Sequence, residues 1–223
     1  EILDTDVRQK LTKNKLSAEQ WVEIIKTAHQ VGIPTTATIM YGHVAAPEHW
    51  AAHIALLREI QKETGGFTEL VPLSFVHTDS PLFTQNPDTV RPGPTDREVD
   101  LMHAVSRIML HGWIDNIQVS WTKLGAARAH QMLARGVNDV GGTLMNESIS
   151  RAAGAAHGQE ITARELVALI RSAGRVPVRR NTVYGVIDSY EHHDPEEIAP
   201  LVDRTAGDPL DFLKMFPPPG DAP

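Results

Sequence analysis

Residues 141–158 read GGTLMNESISRAAGAAHG. A glycine pair opens the stretch and leads into a short apolar run, which stops at Asn146, Glu147, Ser148 and Ser150 before a segment rich in Ala and Gly. Two frames fit this string: a plain strand end with a capped helix start, or the carboxyl end of a buried strand whose polar groups face a ligand. In proteins that alternate strands and helices, ligands collect at such carboxyl ends. The flanking elements supply the frame.

Immediately upstream, DVGGTLMN (139–146) reads as the strand itself, preceded by a helix over about 124–133 that stops at Gly136. NIQVSW (116–121) alternates and ends at Ser120 and Trp121, the pattern of another strand. Thr95, with Glu98 three residues on, has capping-box spacing for a helix whose core stripe is Val99, Met102, Val105 and Met109. FTELVPLSFVHT (67–78) is a strand with its loop. A Pro-rich connection follows through Pro81, Pro87, Pro92 and Pro94; at roughly 20 residues it has the length of a lid or binding segment. Pro47 opens a helix with Trp50, Ile54, Leu57 and Ile60 on one face, closed by Gly65 and Gly66. IPTTATIMYGH (33–43), rich in β-branched residues, is a buried strand ending at Tyr41, Gly42 and His43. Ser17 and Gln20 cap the helix before it, which carries Trp21, Ile24, Ile25 and Ala28.

At the other end of the chain, Thr162 caps a helix with Leu166, Leu169 and Ile170, residues 175–187 read as one added strand, and 188–223 as a Pro-rich acidic tail. The opening EILDTDVRQK has no turn or cap before its pattern and reads as a cut edge. Four helix–strand alternations predict an α/β fold with a parallel sheet, a partial (β/α) TIM-type barrel. The expected division is 1–158 for the half barrel and 159–223 for a carboxyl-terminal helix, strand and tail.

Composition bounds the chemistry. With 223 residues, 41% hydrophobic and 22% charged, the chain is globular in type, and no apolar run approaches the roughly 20 residues of a bilayer span. With no signal-peptide pattern either, a cytoplasmic location is expected. The net charge of -7 gives no continuous basic face for nucleic acid, and Arg175, Arg179 and Arg180 read as a solvated strand edge. The absence of cysteine excludes disulfides, thiolate metal sites, a cysteine nucleophile and any iron–sulfur cluster held by this chain. Gly-x-Gly-x-x-Gly, Walker and Gly-x-Ser-x-Gly strings are absent too.

The expected strand ends collect Tyr41 and His43, Ser74 and His77, Gln118, Ser120 and Trp121, and Asn146 and Glu147. Parallel strands present these to one mouth. His43, His77 and Glu147 are also suitable ligands for a metal-dependent barrel hydrolase, although no His-x-His pair accompanies them. His49 and His53 sit four apart on a helix and read as solvated or partly packed.

GIPTTATIMYGH, TGGFTELVPLSFVH, NIQVSWTKLG and above all GGTLMNESISRAAGAAHGQ resemble the carboxyl-terminal radical SAM half of FO synthases. The same region occurs in the separate tyrosine-using transferase subunit of deazaflavin (coenzyme F-420) biosynthesis. Futalosine-route enzymes are a more distant match to the same frame. The resemblance spans nearly all of 2–184 and implies a barrel in which a [4Fe-4S] cluster cleaves S-adenosylmethionine. The radical so formed activates L-tyrosine, whose 4-hydroxybenzyl fragment joins 5-amino-6-(D-ribitylamino)uracil, and a companion radical SAM module closes the ring. By the same resemblance Thr38, Met40, Tyr41 and His43 lie beside S-adenosylmethionine. Ser74, His77, Gln118, Ser120 and Trp121 line the substrate pocket, and Asn146, Glu147 and Ser148 bind polar substrate groups. No residue is assigned as acid or base. The family's cluster-binding Cys-x3-Cys-x2-Cys loop has no counterpart here, so activity is expected only of a complete polypeptide.

Overall fold

The computed structural model describes residues 2–12, 14–144, 147–157 and 160–192. Two short-range signals place the first helices. Asp4 accepts the Val7 N–H at the start of α1 (Thr5–Leu11), and Ser17 and Gln20 form a reciprocal capping box at α2 (Ala18–Gln30). Each such cap contributes about 1 kcal/mol by satisfying amides that the helix itself cannot.

Strand β1 (Thr35–Tyr41) comes next, then α3 (Pro47–Thr64), β2 (Phe67–Ser74), the short α4 (Pro81–Thr84), α5 (Asp96–Leu110), β3 (Asn116–Ile117) and α6 (Trp121–Met132). The three strands form a parallel sheet in the order β1-β2-β3. Side chains alternate across a strand, so the two faces separate cleanly. Ala37, Ile39 and Tyr41 are fully buried, together with Leu70 of β2, against Ile54, Leu57 and Ile60 of α3 and Val99 and Met102 of α5. Thr38 and Met40 stand on the opposite face and are half-buried. Gln61 pins the start of β2: its amide donates to the Phe67 and Trp113 carbonyls and accepts the Phe67 N–H at 2.7 Å. The expected α/β class and parallel sheet are therefore present.

After α6 come α7 (Ile149–Ala152), α8 (Ala163–Ser172) and an antiparallel hairpin, β4 (Val178–Arg180) with β5 (Val186–Ser189). Ile161 and Leu166 join the same core as β1 and α3. Among the described residues no helix is long and apolar enough to cross a membrane.

Several expectations need correction. Residues 139–144 are not a strand: the only pairing is a Gln118–Asp139 bridge, and Gly141 and Gly142 adopt positive φ (+78 and +103), which breaks extended backbone. Positions 145 and 146 lie outside the described residues. The strand expected over 116–121 ends its ladder at Ile117; Ser120 is the N-cap of α6 and Trp121 its first residue. The single strand at 175–187 is a hairpin, because Asn181 Oδ1 accepts the N–H groups of Val183 and Gly185 and turns the chain. On α5, Val105 is exposed while His103 and Ser106 are buried, so the core face is rotated from the apolar stripe.

Arg180 is not a solvated edge residue. It pairs with Asp139 and reaches Glu69, which is only 5% exposed, and its guanidinium lies 4.1 Å from the Tyr184 ring centroid. A buried carboxylate without a partner costs several kcal/mol, so the hairpin is held onto the sheet by charge compensation as well as by packing.

Three histidines are kept neutral by burial. His29 bridges Thr64 and Thr35 at 2.6 and 2.8 Å, and burial lowers its pKa. Burial takes His43 to about 4 and also lowers His103, despite the Val99 carbonyl that its Nδ1 contacts. An unfolded histidine titrates near 6.5, so the unfolded chain binds protons first as pH falls. For His43 this stability is complete above about 6.5 and is lost toward 4, at up to about 1.4 kcal/mol per pH unit, and His29 and His103 act in the same direction. Thermal denaturation should show a constant melting temperature from pH 8 to 7 and a fall between 6.5 and 5. His103→Leu should shallow that fall; a flat profile across this window contradicts the burial argument.

Candidate active site

Tyr41 pairs with Ser74, so β1 and β2 end level and their loops leave from one edge. At that edge His43 is 1% exposed. Its Nδ1 accepts the Val44 and Ala45 N–H groups at 2.8 and 3.3 Å, which puts the proton of the neutral ring on Nε2, a buried donor with no hydrogen-bond partner. The Pro-rich connection folds back over this point: Arg91 N–H meets the His43 carbonyl at 3.4 Å, and the Arg91 guanidinium pairs with Glu98 at 2.6 Å. Pro94 presses on Gly42, whose φ is +89 and where a Cβ would lie 2.3 Å from the Pro94 nitrogen. His77 is half-buried, with its ring edge-on to Phe83.

The third chain crossing reaches the same edge. Ser120 contacts the Thr122 hydroxyl at 3.0 Å, and Trp121, 5% exposed, donates its indole N–H to the Gly142 carbonyl at 3.0 Å. Lys123 extends from the first turn of α6 to Ser150 Oγ at 3.1 Å. Burial lowers the lysine pKa, opposed by the nearby Glu147 carboxylate. Glu147 itself accepts the N–H groups of Ile149 and Ser150. Residues 147–157 thus lie against the loops that follow β2 and β3. The Asp79 N–H donates to the Ala153 carbonyl, and His157 lies where a Cβ on Gly125 would be.

The expected site residues divide into groups. His43, His77, Ser120, Trp121, Glu147 and the exposed Ser148 belong to the strand-end loops. Thr38 and Met40 occupy the sheet face opposite the helices. Tyr41 and Ser74 point the other way, into the helix-packed side; burial raises the Tyr41 pKa, and its ring stacks edge-on against Trp50. Gln118 donates to Glu69 at 3.2 Å and belongs to the Arg180 network near the start of β2. Asn146 lies outside the described residues. Among the described residues no three His, Asp or Glu side chains converge as a metal set, so His43, His77 and Glu147 do not form one. His49 and His53 serve the backbone instead, accepting the Ala46 and Leu3 N–H groups.

Lys123, Ser150 and Arg91 were not among the expected site residues. Lys123 stands two positions after Trp121 in SWTKLG, where a single lysine in a polar loop gives no periodic or motif signal. A groove of about 790 Å³ lined by Leu3, Val22, Lys26 and Leu56 lies among α1, α2 and α3 and includes none of these groups.

The family model described as the CofH/MqnC C-terminal region matches residues 64–193. The chain is 53% identical over 187 residues to the FO synthase of Mycobacterium tuberculosis, covering 84% of this chain and 22% of that protein. With the FO synthase of Nocardia farcinica identity is 54% over 188 residues, again 84% and 22%. A Methanothermobacter thermautotrophicus protein named 5-amino-6-(D-ribitylamino)uracil--L-tyrosine 4-hydroxyphenyl transferase is 49% identical over 188 residues, 84% of this chain and 51% of that one. The chain therefore spans about a fifth of the FO synthases and half of the transferase.

The glycines at this edge give a direct test of the packing. Gly42→Ala adds both a strained φ and a clash with proline backbone, and should cost about 3 kcal/mol or more. Gly142→Ala has φ +103 but nothing within 4 Å of the new methyl group, so strain alone, about 1–2 kcal/mol, is expected. Urea denaturation of the two variants should rank them in that order; equal losses would contradict the Pro94 contact.

Proposed function

The chain belongs to the CofH/MqnC C-terminal family, and from that membership we propose that it is the carboxyl-terminal part of a radical SAM transferase of FO biosynthesis. The complete enzyme joins the 4-hydroxybenzyl group of L-tyrosine to 5-amino-6-(D-ribitylamino)uracil. Identity of 53% to an FO synthase over 84% of the chain carries this reading. The level strand ends with His43, Trp121 and Lys123 support it, because a transfer reaction needs two substrates held in fixed geometry away from water. In this reading the parallel sheet is part of a (β/α) barrel completed by the rest of the polypeptide, and a companion radical SAM module finishes the deazaflavin.

The two implied cofactors fit these residues differently. The chain has no cysteine, so its residues do not fit a [4Fe-4S] cluster and no step is assigned through one. S-adenosylmethionine does fit: His43 offers a buried, unpartnered Nε2–H, and Thr38 and Met40 are half-buried on the sheet face opposite the helices. When bound, S-adenosylmethionine supplies the 5'-deoxyadenosyl radical. With its pKa near 4, His43 stays neutral at ordinary pH and acts as a hydrogen-bond donor rather than a cation. Trp121, fixed by its bond to Gly142, walls the site from water.

The complete polypeptide, reconstituted anaerobically with S-adenosylmethionine, should yield the coupled product only when L-tyrosine and the ribityl-aminouracil are both present. His43→Ala should reduce the rate by about tenfold or more, the loss of one buried donor. Product formation without tyrosine, or consumption of a futalosine-type substrate in place of the aminouracil, would overturn the assignment.

A further inference from the structure

Three half-buried arginines are met by carboxylates: Arg180 by Asp139 and Glu69, Arg128 by Asp96 and Asp100, and Arg91 by Glu98. Arg107 has no carboxylate but spreads its guanidinium over the Gly136 and Asp115 carbonyls and the Asn138 side chain. Lys123 has a single side-chain hydrogen bond among the described residues. Its ammonium donates to the neutral Ser150 hydroxyl at 3.1 Å, and it makes no ion pair with a described residue. The nearest acid, Glu147, is turned to the backbone, where it accepts from Ser150 N at 2.9 Å and from Ile149 N at 3.2 Å. Burial lowers the pKa of Lys123 even against that carboxylate, so its charge is under-compensated where it stands.

An ammonium has three donors, and one is accounted for here. Retaining a desolvated charge without a partner is costly, and residues placed against local physical preference cluster where ligands bind. Position sharpens the point. Lys123 follows the carboxyl end of β3, beside Trp121 and beneath 147–157, on the same edge as His43.

We propose that Lys123, assisted by Ser150, binds the carboxylate of the amino-acid substrate. The inference rests on the functional reading of the chain as part of a tyrosine-using transferase. Of the two joined substrates only L-tyrosine carries a carboxylate; the ribityl-aminouracil offers hydroxyls, amines and amide-type groups. The salt bridge compensates Lys123 when substrate is present and fixes the backbone end of tyrosine at the β3 edge. Glu147 keeps the 147–150 turn in shape, so that Ser150 faces the lysine. The carboxylate of S-adenosylmethionine has the same chemistry, and the experiment separates the two.

The test is equilibrium binding to the complete enzyme under anaerobic conditions, measured by calorimetry with L-tyrosine, with tyramine, which lacks only the carboxylate, and with S-adenosylmethionine. Lys123→Gln should weaken L-tyrosine by about 10–100-fold, the range for losing a charge-assisted hydrogen bond, while tyramine is unchanged. Lys123→Arg should keep most of the preference for tyrosine over tyramine, and Ser150→Ala should lose a smaller part of it. Equal weakening of tyrosine and tyramine by Lys123→Gln would mean a structural role and overturn the proposal. So would unchanged tyrosine affinity, or a loss confined to S-adenosylmethionine. If the unaltered complete enzyme binds no tyrosine, the substrate reading itself fails, which is a different result from a Lys123 variant that binds as well as the parent.

Discussion

Strand β1 runs parallel to β2 from Thr35 opposite Phe67 to Tyr41 opposite Ser74, with one irregularity at its start. This register governs both the core and the strand-end edge. Parallel pairing puts both carboxyl ends on one edge, and strict alternation sends Ala37, Ile39 and Tyr41 into the helices while Thr38 and Met40 take the other face. A slip of one residue would exchange those faces and bury two threonines against α3. The large buried side chains on the helix face, such as Ile39 and Leu70, each contribute about 2 kcal/mol and hold the register against that slip.

Charge is distributed by the same geometry. Near the start of β2, Glu69 is buried but shared among Arg180, Gln118 and the hairpin, a closed polar network that ties the carboxyl-terminal hairpin to the sheet. At the opposite edge the polar groups are incompletely paired: the His43 Nε2 donor has no partner and Lys123 rests on a neutral hydroxyl. Satisfied networks stabilise, whereas buried donors left without acceptors cost free energy.

Much of this fold was legible in the sequence because local signals agreed with the tertiary structure. The Ser17–Gln20 and Thr95–Glu98 caps form as their spacing predicts, Thr162 caps α8 as expected, and the strands at 35–41 and 67–74 fall within the runs that announced them. The glycine-led stretch at 141–158 was harder. Its apolar run resembles a strand, yet two glycines with positive φ and the Asp139 side chain accepting the Gly141 N–H turn the chain instead. Lys123 and Arg180 were illegible for a different reason. The partners that define them are 27 and 111 residues away, and nothing in the local pattern encodes those contacts.

If the strand-end edge, from Gly42 and His43 through Trp121 and Lys123 to 147–150, is where this family's amino-acid substrate sits, the substrate should shield that edge and no other. Hydrogen–deuterium exchange of the complete enzyme with and without L-tyrosine reads this out. Added protection of backbone amides is expected at 42–45, 121–124 and 147–151, with no change in the 178–189 hairpin. Protection confined to the hairpin or the α1–α2–α3 groove, with these three segments unaffected, would contradict it.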